Sequence, residues 1–246
     1  MVKQNDKVAI VTGASRGIGA AIAERLALDG FTVIVNYAGG ASAAQAVVQD
    51  IESKGGRAIA AQADIADPQA MRRMFDSAEA ALGGVDVLVN NAGIMENAPL
   101  ADVSDESFDR QIAINLKGTF NGLREAAKRL RNGGRIVNFS SSAVGLYAPN
   151  YAIYAATKAA VEAMTHILSK EMRGRAITVN SVAPGPVGTE LFFKGKPQAV
   201  IDTLAKLSPL ERLGAPEDIA NVVAFLAGPD GGWVNGQILR ANGGAI

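Results

Sequence analysis

The sequence predicts an α/β protein in which a seven-stranded parallel sheet is doubly wound, with helices on both faces. Short β-branched runs alternate with longer alanine-rich amphipathic segments along the chain, as in repeated βαβ units. Several of the short runs are apolar at consecutive positions, as expected of central strands covered on both faces. The 246 residues, 48% of them hydrophobic, can bury one large core, and no Pro/Ser-rich linker or charge block divides them. One domain over 1–246 is therefore expected.

In chain order, the first strand is expected over Val8 to Thr12, with a helix near 17–29. A strand from Thr32 to Asn36 precedes a helix near 41–54, and Ala58 to Gln62 precedes one near 68–82. The fourth strand, Val85 to Asn90, leads to a long helix near 105–131. Arg135 to Ser140 is followed by a helix near 151–173, and Ile177 to Val182 by helices near 197–207 and 216–227. In the last of these, Pro216 suits the first helical position and Ile219, Val222, Val223 and Leu226 have core spacing. Gln237 to Arg240 supplies the final strand. No internal repeat or low-complexity tract is present.

Composition excludes several kinds of function. Lys+Arg and Asp+Glu both count 24, so net charge gives no case for a nucleic-acid or anionic-membrane partner. The chain has no cysteine and one histidine, His166, which excludes disulfides, thiolate metal sites and multi-histidine centres. No metal site is expected, and redox chemistry would need an organic cofactor. Met1 to Asp6 is polar with no signal-peptide pattern, and no apolar stretch is long enough to span a bilayer, so a cytoplasmic location is expected.

Doubly wound sheets bind ligands beyond the carboxyl ends of their strands. Four such ends carry unusual residues: Thr12-Gly13, Asn90-Asn91-Ala92-Gly93, Ser140-Ser141-Ser142 and Pro184-Gly185-Pro186. After the first strand, Gly13-Ala14-Ser15-Arg16-Gly17-Ile18-Gly19 opens into a helix. Glycines there let the backbone approach a pyrophosphate, and the helix offers free N–H groups at its positive end. After the second strand, Asn36-Tyr37-Ala38 lacks the carboxylate that would hold a ribose 2′-hydroxyl, while Arg16 offers a guanidinium to a 2′-phosphate. The expected cofactor is NADP.

Tyr154 and Lys158 lie four residues apart, on one face of a helix. A phenol has a reference pKa of about 10 and is a poor acid or base at neutral pH, but a nearby ammonium favours phenolate and lowers that value. Tyr147 and Tyr151 have no lysine four residues on; Tyr147 is the better candidate for lining a substrate pocket.

With Thr12-Gly13-x3-Gly17-x-Gly19, Asn90-Asn91-Ala92-Gly93, Asn115, Ser141 thirteen residues before Tyr154, the Tyr154/Lys158 pair and Pro184-Gly185, the chain resembles a short-chain dehydrogenase/reductase nearly end to end. It is most similar to the 3-oxoacyl carrier-protein reductase-like group, which uses NADP. The resemblance implies a Rossmann-type domain with a cofactor half over about 1–140, a catalytic and substrate half over about 141–246 and a lid over about 187–212. It implies that Tyr154 is the proton donor, that Lys158 lowers the phenol's pKa and binds the nicotinamide ribose, that Ser141 holds the substrate oxygen, and that Asn115 holds a relay water. Asp64 and Ile65 would face the adenine, Asn91, Ala92 and Gly93 the adenosine ribose, and Pro184, Gly185, Val187 and Thr189 the carboxamide.

Leu191, Phe192 and Phe193 would close over an apolar substrate. A 3-oxoacyl chain on an acyl carrier protein would need a basic entrance, for which Arg131 and Arg175, with Lys128, Arg129 and Arg173 nearby, are candidates; Glu96 counts against it. The alternatives are a small ketone, sugar or cyclic alcohol, an isomerase or dehydratase using nicotinamide transiently, and a non-catalytic nucleotide-binding regulator. Family members usually form homotetramers through two long helices, here near 105–131 and 151–173, and the last strand. The small-residue face from Ala152 to Ala163 would permit close helix approach.

Overall fold

The computed structural model describes residues 5–246. Its strands are β1 Val8–Val11, β2 Thr32–Tyr37, β3 Arg57–Gln62, β4 Val85–Asn90, β5 Leu130–Phe139, β6 Thr178–Pro184 and β7 Ile238–Ala241. They form one sheet in the order β3-β2-β1-β4-β5-β6-β7, every pair parallel. The helices are α1 Gly17–Leu28, α2 Ala41–Ser53, α3 Pro68–Leu82, α4 Asp105–Gln111, α5 Thr119–Arg129, α6 Ala143–Leu146, α7 Ala152–Glu171, α8 Glu190–Phe193, α9 Gln198–Ala205 and α10 Pro216–Ala227.

Alternation along the strands builds two cores. Ala9 and Val11 of β1, with Val33 and Val35 of β2, pack with Ile22 of α1, Val48 of α2 and Val223 of α10. Val8, Ile10 and Ile34 point the other way, into the core of Phe75 from α3, Leu123 from α5 and Leu168 from α7. The sheet is thus covered on both faces, as its apolar strands require. The order reverses between β1 and β4, and a crevice opens beyond the carboxyl ends of strands at such a switch point.

The long helix expected near 105–131 is divided. Ser104 caps α4, its Oγ accepting from Ser107 N–H at 3.2 Å. A π-helical stretch over Ile112–Gly118 then inserts a wider turn before α5 begins at Thr119. The helix ends at Arg129, and Leu130 already pairs with Val85 as part of β5. The short helices α6 and α8 lie outside the expected set. Among the described residues no helix is long and apolar enough to cross a membrane.

Candidate active site

The loop between β1 and α1 is held by buried polar side chains. Thr12 Oγ1 accepts from the N–H groups of Asn91 at 3.0 Å and Ala92 at 3.1 Å, and donates to Val89 O at 3.2 Å. Asn91 Nδ2 donates to the carbonyls of Thr12 at 2.9 Å and Gly13 at 3.2 Å. Asn36 Oδ1 accepts from Gly13 N–H at 3.2 Å, while its Nδ2 donates to Ala61 and Ala63 carbonyls. Two loops at the ends of β1 and β4 are thereby locked together. Glycine is needed where they touch: Gly13 has φ +63° and an added Cβ would sit 2.9 Å from Ala92 Cα, while one on Gly19 would sit 2.3 Å from Gly13 O.

This loop presents α1 with no side-chain cap and no acid in its first turn. An uncapped N-terminus of a twelve-residue helix, beside glycines that let a ligand approach the backbone, suits a phosphate. Arg16 extends over it, its guanidinium exposed and 3.4 Å from Glu190.

At the next strand ends the reactive groups converge. Lys158 of α7 is 4% exposed; its Nζ donates to Phe139 O at 2.9 Å and lies 5.7 Å from the centre of the Tyr154 ring. Burial pushes its pKa down to about 8. Tyr154 is half-buried, with the Ser141 hydroxyl beside its phenol. Desolvation raises the phenol's pKa, the Ser141 hydroxyl opposes that rise, and Tyr151 adds to it. That rise belongs to the chain without its cofactor, where burial outweighs the other influences. Gly93 leaves space beside the lysine, since an added Cβ would lie 3.2 Å from Asn115 Oδ1 and 3.5 Å from Lys158 Nζ.

Asn115 is wholly buried in the π-helical stretch beside this group. Its side-chain amide makes a two-way clasp with Ile94, accepting from the N–H at 2.8 Å and donating to the carbonyl at 2.9 Å. Its own carbonyl accepts from Thr119 Oγ1 at 2.8 Å. The side chain fixes the 93–94 backbone near Lys158.

Other expected contacts are also used within the protein. The amides of Asn36 and Asn91 are engaged in the loop scaffold described above, so these residues shape the site. Ile65 is buried against Gly118, and its carbonyl accepts from Asn121 Nδ2 at 2.9 Å. The Val187 side chain packs into the core. Asp64 is exposed and its Oδ1 accepts from Ala66 N–H, while Tyr37 is half-buried at the end of β2. Ser15 lies in the glycine loop, Ile18 in the first turn of α1 packs against the core, Pro184 ends β6 with Gly185 following it, and Thr189 caps α8 with its Cγ2 3.5 Å from where a Cβ on Gly17 would lie. The sequence marks Thr12 as a strand end and as the start of the glycine signature but gives it no role; in the structure its hydroxyl joins the two loops.

The proposed basic entrance is largely engaged elsewhere. Arg129 is paired with Asp76, Glu79 and Glu125. Arg131 pairs with Asp86 at 2.9 Å, and Arg175 donates to the carbonyls of Ala127 and Leu130 at the end of α5. Glu96 is turned to α4, accepting from Ser107 Oγ at 2.7 Å and pairing with Arg110 at 3.2 Å.

The segment after β6 leaves and returns at one stem: Gly188 N–H donates to Gly214 O, and Gly214 N–H donates to Pro186 O, each at 2.9 Å. Within the excursion Leu191, Phe193 and Leu210 are exposed, and Phe192 and Phe193 stack edge to face. Tyr147, in a left-handed conformation with φ 49°, is 83% exposed.

A Rossmann-type sheet, a glycine loop at its switch point and a Ser–Tyr–Lys cluster at the neighbouring strand ends define a nicotinamide-dependent oxidoreductase. The chain belongs to the short-chain dehydrogenase/reductase family. Residues 13–245 match a family model described as enoyl-(acyl carrier protein) reductase. A short-chain type dehydrogenase/reductase of Picea abies is 49% identical, covering 98% of this chain and 92% of that protein. An NADPH-dependent aldehyde reductase-like chloroplastic protein of Arabidopsis thaliana is 45% identical, covering 98% and 94%. The crystal structure of a short chain dehydrogenase from Burkholderia cenocepacia in complex with NADP superposes with a TM-score of 0.93 at 41% identity, covering 100% of this chain and 99% of that one.

Proposed function

We propose that this chain uses NADPH to reduce the carbonyl group of a small apolar aldehyde or ketone. The observation that carries this reading is the convergence of Tyr154, Lys158 and Ser141 beside the glycine loop. The uncapped start of α1 and the contacts at Gly13 and Gly19 suit a pyrophosphate, and exposed Arg16 suits a 2′-phosphate. Bound NADPH would supply the hydride that adds to the carbonyl carbon. Tyr154 gives its phenolic proton to the carbonyl oxygen, so that an alcohol forms and a phenolate remains. Ser141 donates to the same oxygen as negative charge develops there. The Lys158 ammonium offers two N–H groups beyond the one held by Phe139 O, for a ribose hydroxyl and for the field that stabilises phenolate.

Exposed Leu191 and Phe193 on α8, and exposed Tyr147 at the end of α6, favour a substrate with an apolar body. The 187–212 segment would serve as its lid, hinged at the Gly188–Gly214 stem. The engagement of Arg129, Arg131 and Arg175 favours a free small molecule over a carrier-bound thioester. Exposed Phe108, Phe120 and Ile167 on α4, α5 and α7, with Trp233 before β7, support a homotetramer.

NADPH consumption with a panel of apolar aldehydes, ketones and a 3-oxoacyl thioester tests the reading. Turnover of a free aldehyde or ketone is expected. Tight NADPH binding with no consumption by any carbonyl would overturn the catalytic reading in favour of a regulator, and turnover of the thioester alone would overturn the substrate class.

A further inference from the structure

Segments distant in sequence meet at Asn242, behind the turn that carries Ser141. Asn242 is 8% exposed; its Nδ2 donates to the Ser142 hydroxyl at 3.1 Å and its Oδ1 accepts from Gly244 N–H at 3.0 Å. Its Cα and Cβ press on Gly185, each 2.9 Å from where a Cβ there would lie. Ser142, 2% exposed, fixes the turn: its N–H donates to Pro184 O at 2.9 Å and its carbonyl accepts from Gly145 and Leu146. Ile246 grips the same turn at Gly145, its Cδ1 2.5 Å from the position of an added Cβ. Between these points, Gly243 O accepts from Ser208 Oγ at 2.8 Å, which attaches the return limb of the 187–214 excursion.

We propose that Asn242 is a positioning residue for the reaction, setting the Ser141 hydroxyl in place relative to Tyr154 through Ser142. The proposal rests on the role given above to Ser141. Within the turn, Ser141 Oγ accepts only from Ala143 N–H, at 3.2 Å, so its place follows from how its neighbour is anchored. Without the Asn242 amide, the Ser142 hydroxyl retains a single contact of 3.5 Å to Ala183 O. Small displacements of a group aligned with a reacting atom lower rates steeply, by up to about a hundredfold for roughly 1 Å.

The test compares Asn242→Ala, Ser142→Ala, Ser141→Ala and the Ser141→Ala/Asn242→Ala double variant of the full chain, measuring kcat on a carbonyl substrate, NADPH affinity by fluorescence and Tm. Asn242→Ala and Ser142→Ala are each expected to lower kcat about tenfold with NADPH affinity held within about twofold. In the Ser141→Ala background, adding Asn242→Ala should change kcat by less than about twofold, because the group it positions is gone. A kcat within about twofold of wild type in the two single variants, or a tenfold loss that persists in the Ser141→Ala background, overturns the proposal. If Asn242→Ala does not fold, Ser142→Ala and its double with Ser141→Ala are read by the same criteria. Wild-type kcat in Ser141→Ala would overturn the role of Ser141 and this proposal with it, whereas loss in Ser141→Ala alone overturns only the proposal.

Discussion

The loops that shape the cofactor crevice and the residues that face its reacting end use polar side chains in opposite ways. Around the glycine loop, Thr12, Asn36 and Asn91 bond to the protein's own backbone, and their hydrogen-bonding capacity is directed inward. On α7, Lys158 makes one bond, to Phe139 O, and the Tyr154 phenol has the Ser141 hydroxyl beside it. Buried polar groups are ordinarily satisfied within the protein, so this difference separates scaffold from chemistry. Asn36, bonded through both its oxygen and its nitrogen, holds the loop in place, and Asn91 does so through its Nδ2. A buried ammonium with donors to spare carries a desolvation cost that a purely structural residue would not retain.

If the α7 groups do the chemistry, the largest effect falls on Tyr154→Phe. Removing the hydroxyl leaves the ring's packing against Tyr151, 6.5 Å between centroids, but removes the proton. We expect kcat to fall by about a thousandfold or more, with NADPH affinity close to wild type, measured by steady-state rates and cofactor fluorescence. Retained activity would assign proton donation elsewhere and erase the contrast between the two regions.

Next in size is a strike at the scaffold. In Gly19→Ala the new methyl would meet Gly13 O at 2.3 Å and Asn91 Nδ2 at 2.6 Å, both held by hydrogen bonds and unable to withdraw independently. A loss of about 3 kcal/mol in stability is expected from such overpacking, seen as a lowered midpoint in urea. NADPH binding should weaken as well. A variant with unchanged stability would mean that the loop is looser than its bonds imply.

Lys158→Met should separate function from stability in the opposite direction. The lysine's folded pKa of about 8 lies below its ordinary 10.5, so the folded state holds the proton less well than the unfolded chain. The corresponding penalty is full below about 8, and relief grows as pH rises toward 10.5. At neutral pH the shift corresponds to about 3 kcal/mol, and losing the bond to Phe139 O returns about 1 kcal/mol. A net gain of about 2 kcal/mol is expected in the cofactor-free protein, alongside loss of turnover. Chemical denaturation as a function of pH checks it: the gain should shrink between about 8 and 10.5.

How much of this contrast was legible in the sequence follows from the range of the interactions involved. The alternation of strands and helices, the glycine loop and the Tyr154/Lys158 spacing are local, so they could be read from neighbouring residues. The π-helical stretch at Ile112–Gly118 could not: one widened turn barely disturbs a helical pattern, and the run was read as a continuous helix. The inward direction of Ile65 and Val187 depends on Gly118 and on the core, both remote in the chain. The bond between Ser142 and Asn242 spans a separation of 100 residues, and no periodicity records it. Asn36 and Asn91 stand out in the sequence, but a sequence does not tell whether an amide faces a ligand or its own backbone.

The smallest effect tests a contact between the glycine loop and the segment after β6. Arg16 on the glycine loop pairs with Glu190 at the start of α8 at 3.4 Å, with side chains 76% and 79% exposed. Such an exposed pair contributes little to folding, so Glu190→Gln should leave the midpoint of unfolding unchanged within about 0.5 kcal/mol. The carboxylate does, however, compete with a phosphate for the same guanidinium. Its removal should tighten NADPH binding by about twofold at low salt, with no change for NADH, and the gain should fade as salt screens the pair. Equal tightening of both cofactors would place the effect on α8 itself rather than on Arg16, and the two regions would then be coupled through the backbone at Thr189, which lies against Gly17.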